Sequence, residues 1–144
     1  IKHIQSMKPA DIKILIVEDN DINREVISGL LARLGLSAKI AVNGSEAITY
    51  ICHESSHWDL ILMDVEMPIM DGLTAAQKIR TWETEHFRNA IPIIALTAHV
   101  GRSHEDIILK SGMDDHLSKP IDFTDLQNIL RKWIGLTDKS TPES

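Results

Sequence analysis

Five short apolar runs, each followed by a stretch with helical spacing, constrain this chain more than any other feature. They occupy residues 12–17, 38–42, 60–64, 92–97 and, most weakly, 116–118. The runs are near-continuous rather than alternating, which is the pattern of strands buried on both faces by covering helices. Helix punctuation fills the intervals. Ile22, Val26, Leu30 and Leu34 recur every four residues after Asn20-Asp21, and Gly35 stops that helix. Asn43 with Glu46 forms a capping pattern ahead of Ala47, Ile48 and Ile51. A third helix is predicted from about Gly72, burying Leu73, Ala76, Ile79 and Trp82. Ser103 and Asp106 have capping-box spacing before Ile107 and Ile108, with Gly112 as the stop. Asp122 caps the last helix, where Ile121 can staple onto Leu126 ahead of Leu130, Trp133 and Ile134.

The expected fold is α/β: a (βα)5, doubly wound, parallel five-stranded sheet of the flavodoxin-like kind. Residues 11–136 form the domain. Residues 1–10 and 137–144 are polar and aperiodic and are expected to be linker or flexible ends.

With 144 residues the chain is one domain in length. Fifteen Lys and Arg stand against 21 Asp and Glu, for a net charge of −6. That balance argues against nucleic acid as a partner and favours a cation or a basic protein surface. No apolar run approaches the ~20 residues needed to span a bilayer, so direct membrane contact is not expected. The single cysteine, Cys52, cannot close an internal disulfide, in keeping with a reducing, cytoplasmic setting.

In an open α/β sheet, ligands bind beyond the carboxyl ends of the strands. The first strand ends in Glu18-Asp19, the third in Asp64, the fourth in Thr97 and the fifth in Lys119-Pro120. Carboxylates gathered there repel: two charges 4 Å apart interact by about 4 kcal/mol at an effective dielectric of ~20. Oxygen-only donors favour a hard cation, and Mg²⁺ is the one that bridges carboxylates to phosphate oxygens. A metal, the Lys119 ammonium and the Thr97 hydroxyl are together what a transferring phosphoryl group needs. Asp64, between the acidic pair and Lys119, is the candidate nucleophile, because aspartate can form an acyl phosphate.

These residues carry a resemblance. Val17-Glu18-Asp19-Asn20, Met63-Asp64-Val65-Glu66-Met67-Pro68-Ile69-Met70-Asp71-Gly72, Leu96-Thr97-Ala98 and Leu117-Ser118-Lys119-Pro120 resemble the response-regulator receiver domain of two-component signalling. The likeness runs from about residue 11 to 135. It implies Asp64 as phosphoacceptor. Mg²⁺ would be held by Asp19, Asp64 and the Glu66 main-chain carbonyl, with Glu18 acting through water. Thr97 and Lys119 would hold the phosphoryl oxygens, and the Lys119-Pro120 peptide would be cis. Asn20-Asp21-Ile22-Asn23-Arg24-Glu25-Val26, Leu96-Thr97-Ala98-His99 and Ser111-Gly112-Met113-Asp114-Asp115 are similar to receivers carried by hybrid sensor histidine kinases. With its linker-like ends, the chain is expected to be a piece of such a kinase, with a stand-alone receiver as the rival. The implied partners are a histidine kinase and a histidine phosphotransfer protein. Ile22, its neighbours on the first helix and the loop after Lys119 are the expected docking face.

Three positions tune this expectation. Receivers usually carry Tyr or Phe three residues before the lysine, where this chain has His116. Either the imidazole swings as the aromatic would, or the switch lies in the loop after Thr97. Glu66 and His99, each two residues beyond Asp64 and Thr97, border the phosphoryl position and are expected to set its lifetime. The remaining histidines read as solvated surface: His53 and His57, four apart but without a third ligand, and His3, His86 and His104. Cys52 has no flanking cation and reads as a half-buried small residue. Two alternatives stay open: an aspartyl-phosphate hydrolase of the haloacid dehalogenase type, and an unphosphorylated interaction module. The hydrolase would need an aspartate where Glu66 stands and room for a cap.

Overall fold

The computed structural model describes residues 11–53, 55–67, 70–99 and 101–135. The predicted flexible ends, and Pro68 and Ile69 of the third-strand motif, lie outside the described residues. Strands and helices alternate along the chain: β1 Ile14–Val17, α1 Asp21–Ala32, β2 Ala38–Ala41, α2 Gly44–Ile51, β3 Leu60–Asp64, α3 Gly72–Glu85, β4 Ile93–Thr97, α4 Arg102–Lys110, β5 Asp115–Ser118 and α5 Phe123–Ile134. All strand pairs are parallel, in the order β2-β1-β3-β4-β5. The expected (βα)5 sheet is therefore what forms, and its order reverses between β1 and β3, where doubly wound sheets open a crevice.

Burial explains the near-continuous apolar runs. Every residue of β1, β3 and β4 is buried, while the edge strands β2 and β5 are only partly covered. Alternate side chains serve opposite layers. Leu15, Val17, Ile61, Met63, Ile93 and Ala95 pack with Ala47, Ile51, Ala75, Ala76 and Ile79 of α2 and α3, and with Ile108 of α4. Ile14, Ile16, Leu60, Leu62, Ile94 and Leu96 pack with Ile27 and Leu31 of α1 and with Leu126, Ile129, Leu130 and Ile134 of α5.

Helix starts follow the caps. The side chains of Asn20, Asn43, Asp71 and Asp122 each accept a hydrogen bond from the amide three residues on. The box on α2 closes one residue early, with Glu46 Oε1 accepting from the Val42 amide rather than from that of Asn43.

One expectation fails. Ser103 does not cap α4, which begins behind Gly101 with no side-chain cap at all. Gly101 sits at φ 134°, a conformation that disfavours side chains, so the chain turns into α4 a step earlier than the Ser103 and Asp106 pattern implies. On α1 the fourfold stripe is divided between surface and core. Ile22 and Val26 are 67% and 45% exposed, whereas Ile27 and Leu31 are buried. The stripe drifts around the cylinder because 3.6 residues make a turn, so its early members leave the sheet while Leu30 and Leu34 stay packed against it.

Candidate functional site

Four strand ends meet at one edge of the sheet. Glu18 continues β1, donating its amide to the Ala41 carbonyl, and its side chain is fully buried. Asp64, the last residue of β3, is 1% exposed, and Thr97, the last of β4, is fully buried. One carboxylate oxygen each from Glu18, Asp19 and Asp64 lies within 4.8 Å of the others. Lys119 reaches across from the end of β5, its Nζ 3.0 Å from Asp64 Oδ1 and 3.1 Å from Glu18 Oε1. The Lys119-Pro120 peptide is cis.

The turn after β3 holds the phosphoacceptor candidate in place. The Glu66 amide donates to Asp64 Oδ1 at 3.0 Å, and the Gly72 amide donates to the Val65 carbonyl. Gly72 passes so close that a Cβ there would lie 2.2 Å from the Asp64 carbonyl oxygen. On the other side, Arg24 of α1 donates to the Glu18 and Asp19 carbonyls at 3.0 and 2.9 Å. The acidic loop is thus tied to the helix that follows it.

Charge in this pocket is not balanced by the protein alone. Burial, then the Glu18 carboxyl, pushes Asp64 up to about 7, and the opposing hydrogen bonds from Lys119 and the Glu66 amide do not cancel it. Burial pulls Lys119 down, but Asp64 and Glu18 outweigh it and hold the ammonium above its ordinary value. Glu18 Oε1 stands within ion-pair distance of Lys119, yet off the direction of a hydrogen bond. Among the described residues it is the buried side-chain oxygen left without one. An orphaned carboxylate oxygen facing two further carboxylates fits a hard divalent cation with oxygen ligands.

Opposite the acidic side, Thr97 heads a different set of contacts. Its Oγ1 accepts from the His99 amide at 3.0 Å, and it lies 3.1 Å from the His99 carbonyl and 3.0 Å from His104 Nε2. His99 Nδ1 is 2.6 Å from Glu66 Oε2, and the His99 and His104 rings lie 5.4 Å apart, tilted by 48°. His116 Nε2 is 3.8 Å from Glu105 Oε2, at the limit of an ion pair.

The sequence of residues 14–131 matches the response regulator receiver domain family. The chain belongs to that family. It is 40% identical over 124 residues to the sensor protein GacS of Pseudomonas syringae pv. syringae, covering 86% of this chain and 14% of that protein. Hybrid signal transduction histidine kinase M of Dictyostelium discoideum is 38% identical over 126 residues, 88% of this chain and 5% of the kinase. The chain therefore spans only a small part of the curated relatives it matches. Among solved structures, the receiver domain of sensor histidine kinase PA1611 from Pseudomonas aeruginosa PAO1, with a magnesium ion coordinated in its active site cleft, aligns with a TM-score of 0.76. It is 38% identical and covers 88% of this chain and all of that one, 100%. The Saccharomyces cerevisiae phosphotransfer protein Ypd1 co-crystallised with the receiver domain of its downstream response regulator Ssk1 gives 0.80, with 31% identity over 92% of this chain and 97% of that one. The receiver match removes the hydrolase alternative.

The structure of this receiver domain brings together Glu18, Asp19, Asp64 and Lys119 from the ends of β1, β3 and β5, with Thr97 across the same edge. Glu66 turns its side chain to His99. Cys52 is half-buried, and burial, then the Glu83 charge, pushes its thiol up to about 11, so it is not a reactive thiolate. His104 corrects the sequence reading: it is not a solvated surface residue but a partner of Thr97. Arg24 and Gly72 were also not singled out as site residues. Gly72 closes a motif whose end signals a tight turn, but nothing in the sequence separates Arg24 from an ordinary helix-surface arginine.

Proposed function

We infer that Asp64 accepts a phosphoryl group from a phosphohistidine. The observation that carries this reading is the cation-fitting cluster of buried Glu18 and Asp64 with exposed Asp19, with Lys119 and Thr97 facing it from neighbouring strand ends. Asp19, Asp64 and the Glu66 main-chain carbonyl would hold Mg²⁺, with Glu18 acting through water. When bound, the ion neutralises the carboxylates and withdraws charge from the phosphoryl oxygens.

The chain's own residues supply the remainder. The Lys119 ammonium and the Glu66 amide fix the plane of the Asp64 carboxylate. In its ionised form a carboxylate oxygen attacks phosphorus, and the P–N bond of the donor imidazole breaks with its electron pair going to nitrogen. Lys119 and the Thr97 hydroxyl then hold the phosphoryl oxygens. Because these groups sit on the receiver, it catalyses its own phosphorylation and, with water, its own dephosphorylation. Glu66 and His99, paired at the rim, set how readily water reaches the acyl phosphate.

The donor is a histidine kinase or a histidine phosphotransfer protein, and the domain acts in the cytoplasm as part of a hybrid kinase. Support comes from kinase-borne receivers among its relatives and from the phosphotransfer complex among its structural neighbours. Exposed Ile22 and Val26 on α1, with the loop after Lys119, form the docking face. The test incubates the domain with acetyl phosphate and Mg²⁺, reduces it with borohydride and maps the peptides. Conversion of Asp64 to homoserine is expected. An unmodified Asp64, with label at another carboxylate, contradicts the reading.

A further inference from the structure

Thr97 and His116, on the neighbouring strands β4 and β5, both meet the first turn of α4. His104 contacts Thr97 at 3.0 Å, and the neighbouring Glu105 stands 3.8 Å from His116. That turn is otherwise weakly held. It has no side-chain cap, it starts from Gly101, and α4 buries only Ile108 while Ile107 and Leu109 are 49% and 57% exposed. An element with so few apolar anchors opens or shifts at low cost.

Proton counting at Thr97 makes the contact consequential. The hydroxyl has one proton and two lone pairs. The His99 amide occupies one lone pair, so the resting proton goes either to the His99 carbonyl or to His104 Nε2. A phosphoryl oxygen on Asp64 would demand that proton. His104 can then keep its place only by donating from Nε2 to the remaining lone pair, and otherwise must leave. Where Nε2 is the resting acceptor of that proton, either response changes the state of the ring.

The geometry points to His104 as a positioning residue: it holds the resting Thr97 hydroxyl and passes the arrival of a phosphoryl group at Asp64 to the first turn of α4. This rests on the reading of Asp64 as phosphoacceptor. It places the moving part on α4, with His116 a secondary contact through Glu105. His99 packs against the His104 ring and is itself fixed by Glu66, so the ring has a wall on one side and Thr97 on the other.

The first arm of the test needs no phosphodonor. Ring-nitrogen NMR spectra of the ¹⁵N-labelled domain are recorded for the parent and for Thr97→Val, which keeps the shape and removes the hydroxyl. The His104 Nε2 resonance is expected to shift by several ppm. An unmoved resonance overturns the positioning role whatever Asp64 does.

The second arm adds Mg²⁺ and beryllofluoride, a mimic of the phosphoryl group on a carboxylate. In the parent, the His104 ring nitrogens and the amides of residues 101–106 are expected to move. His104→Phe keeps a ring against His99 but offers no nitrogen, and should lose most of that amide response. It should also bind beryllofluoride about three- to tenfold more tightly, the worth of one hydrogen bond no longer withdrawn from Thr97. His104→Gln, which restores a hydrogen-bonding side chain, should recover part of both effects. A full parent-like response in His104→Phe overturns the coupling alone. Failure of the parent to bind beryllofluoride overturns the reading of Asp64 and the coupling with it, while the first arm still reports the resting bond.

Discussion

Helices α1 and α4 both leave the site edge of the sheet, and they are held in opposite ways. The side chain of Asn20 caps α1, Arg24 ties its first turns to the Glu18 and Asp19 carbonyls, and Ile27 and Leu31 are buried beneath it. Helix α4 starts from a glycine without a side-chain cap and buries one residue. The difference follows from what each side must do. Buried carboxylates hold a cation well only if their positions are set before it arrives, because rearranging them would cost binding energy. A side that reports a phosphoryl group must instead have a second arrangement within reach. This receiver keeps its chemistry on the anchored side and its freedom on the loosely packed one.

The comparison breaks first at Asp64. Asp64→Asn is expected to abolish phosphoryl uptake, read by intact mass after acetyl phosphate and Mg²⁺. It should also stabilise the metal-free fold. Folding raises the Asp64 value from 3.8 to about 7, so ionisation is harder in the folded state than in the unfolded one. Below that window the two proteins should be equally stable. The parent should then lose stability as pH rises through it, ending roughly 2–4 kcal/mol below Asp64→Asn at pH 8. Urea melts across pH would check this, and added Mg²⁺ should narrow the gap.

Gly72→Ala comes next, since its Cβ meets the Asp64 carbonyl and backbone must shift. A loss of about 2–4 kcal/mol is expected from denaturant melts. Arg24→Ala should leave the fold intact but weaken Mg²⁺ binding by about tenfold in a calorimetric titration, since it orients the acidic loop from behind. An unchanged affinity would mean that the anchored side is set by β1 alone.

A smaller effect is expected at Asp115. Burial raises its carboxyl, but hydrogen bonds from the Trp133 indole, the His116 amide and Lys132 outweigh it and hold it below its ordinary value. Its contribution is therefore present above the ordinary carboxylate range and fades as pH falls through the lowered value. Asp115→Asn should cost about 1 kcal/mol at pH 7, with the two melting curves converging in acid. Least of all, Ile107→Ser and Leu109→Ser on the exposed face of α4 should change stability by less than about 0.5 kcal/mol. A large loss at either would show that α4 is anchored after all.

Much of this was legible in the sequence because the signals were local or repeated. The three inner strands announced themselves as near-continuous apolar runs and the edge strands more faintly, and the Asn43 and Asp122 caps lie beside the helices they start. The acidic pair, Asp64, Thr97 and Lys119 could be placed together because each closes a strand, and parallel strands bring such ends to one edge. The Ile22, Val26, Leu30 and Leu34 stripe marked a helix, but four-residue spacing alone does not say which side of a helix meets the sheet. Ser103 misled because a glycine conformation upstream decided where α4 begins. His104 was hidden for a related reason. Its contact with Thr97 depends on how α4 is laid against β4, and sequence spacing carries no record of that placement. Arg24 and Glu66 likewise act through contacts that only the folded loops create.

Amide hydrogen exchange, with and without Mg²⁺ and beryllofluoride, tests the contrast between the two helices most directly. In the free domain the amides of α4 should exchange faster than those of α1. On binding, the largest changes should fall in residues 98–106, with those of α1 beyond its first turn little altered. Equal protection of the two helices at rest, or a response centred on α1, would contradict the account.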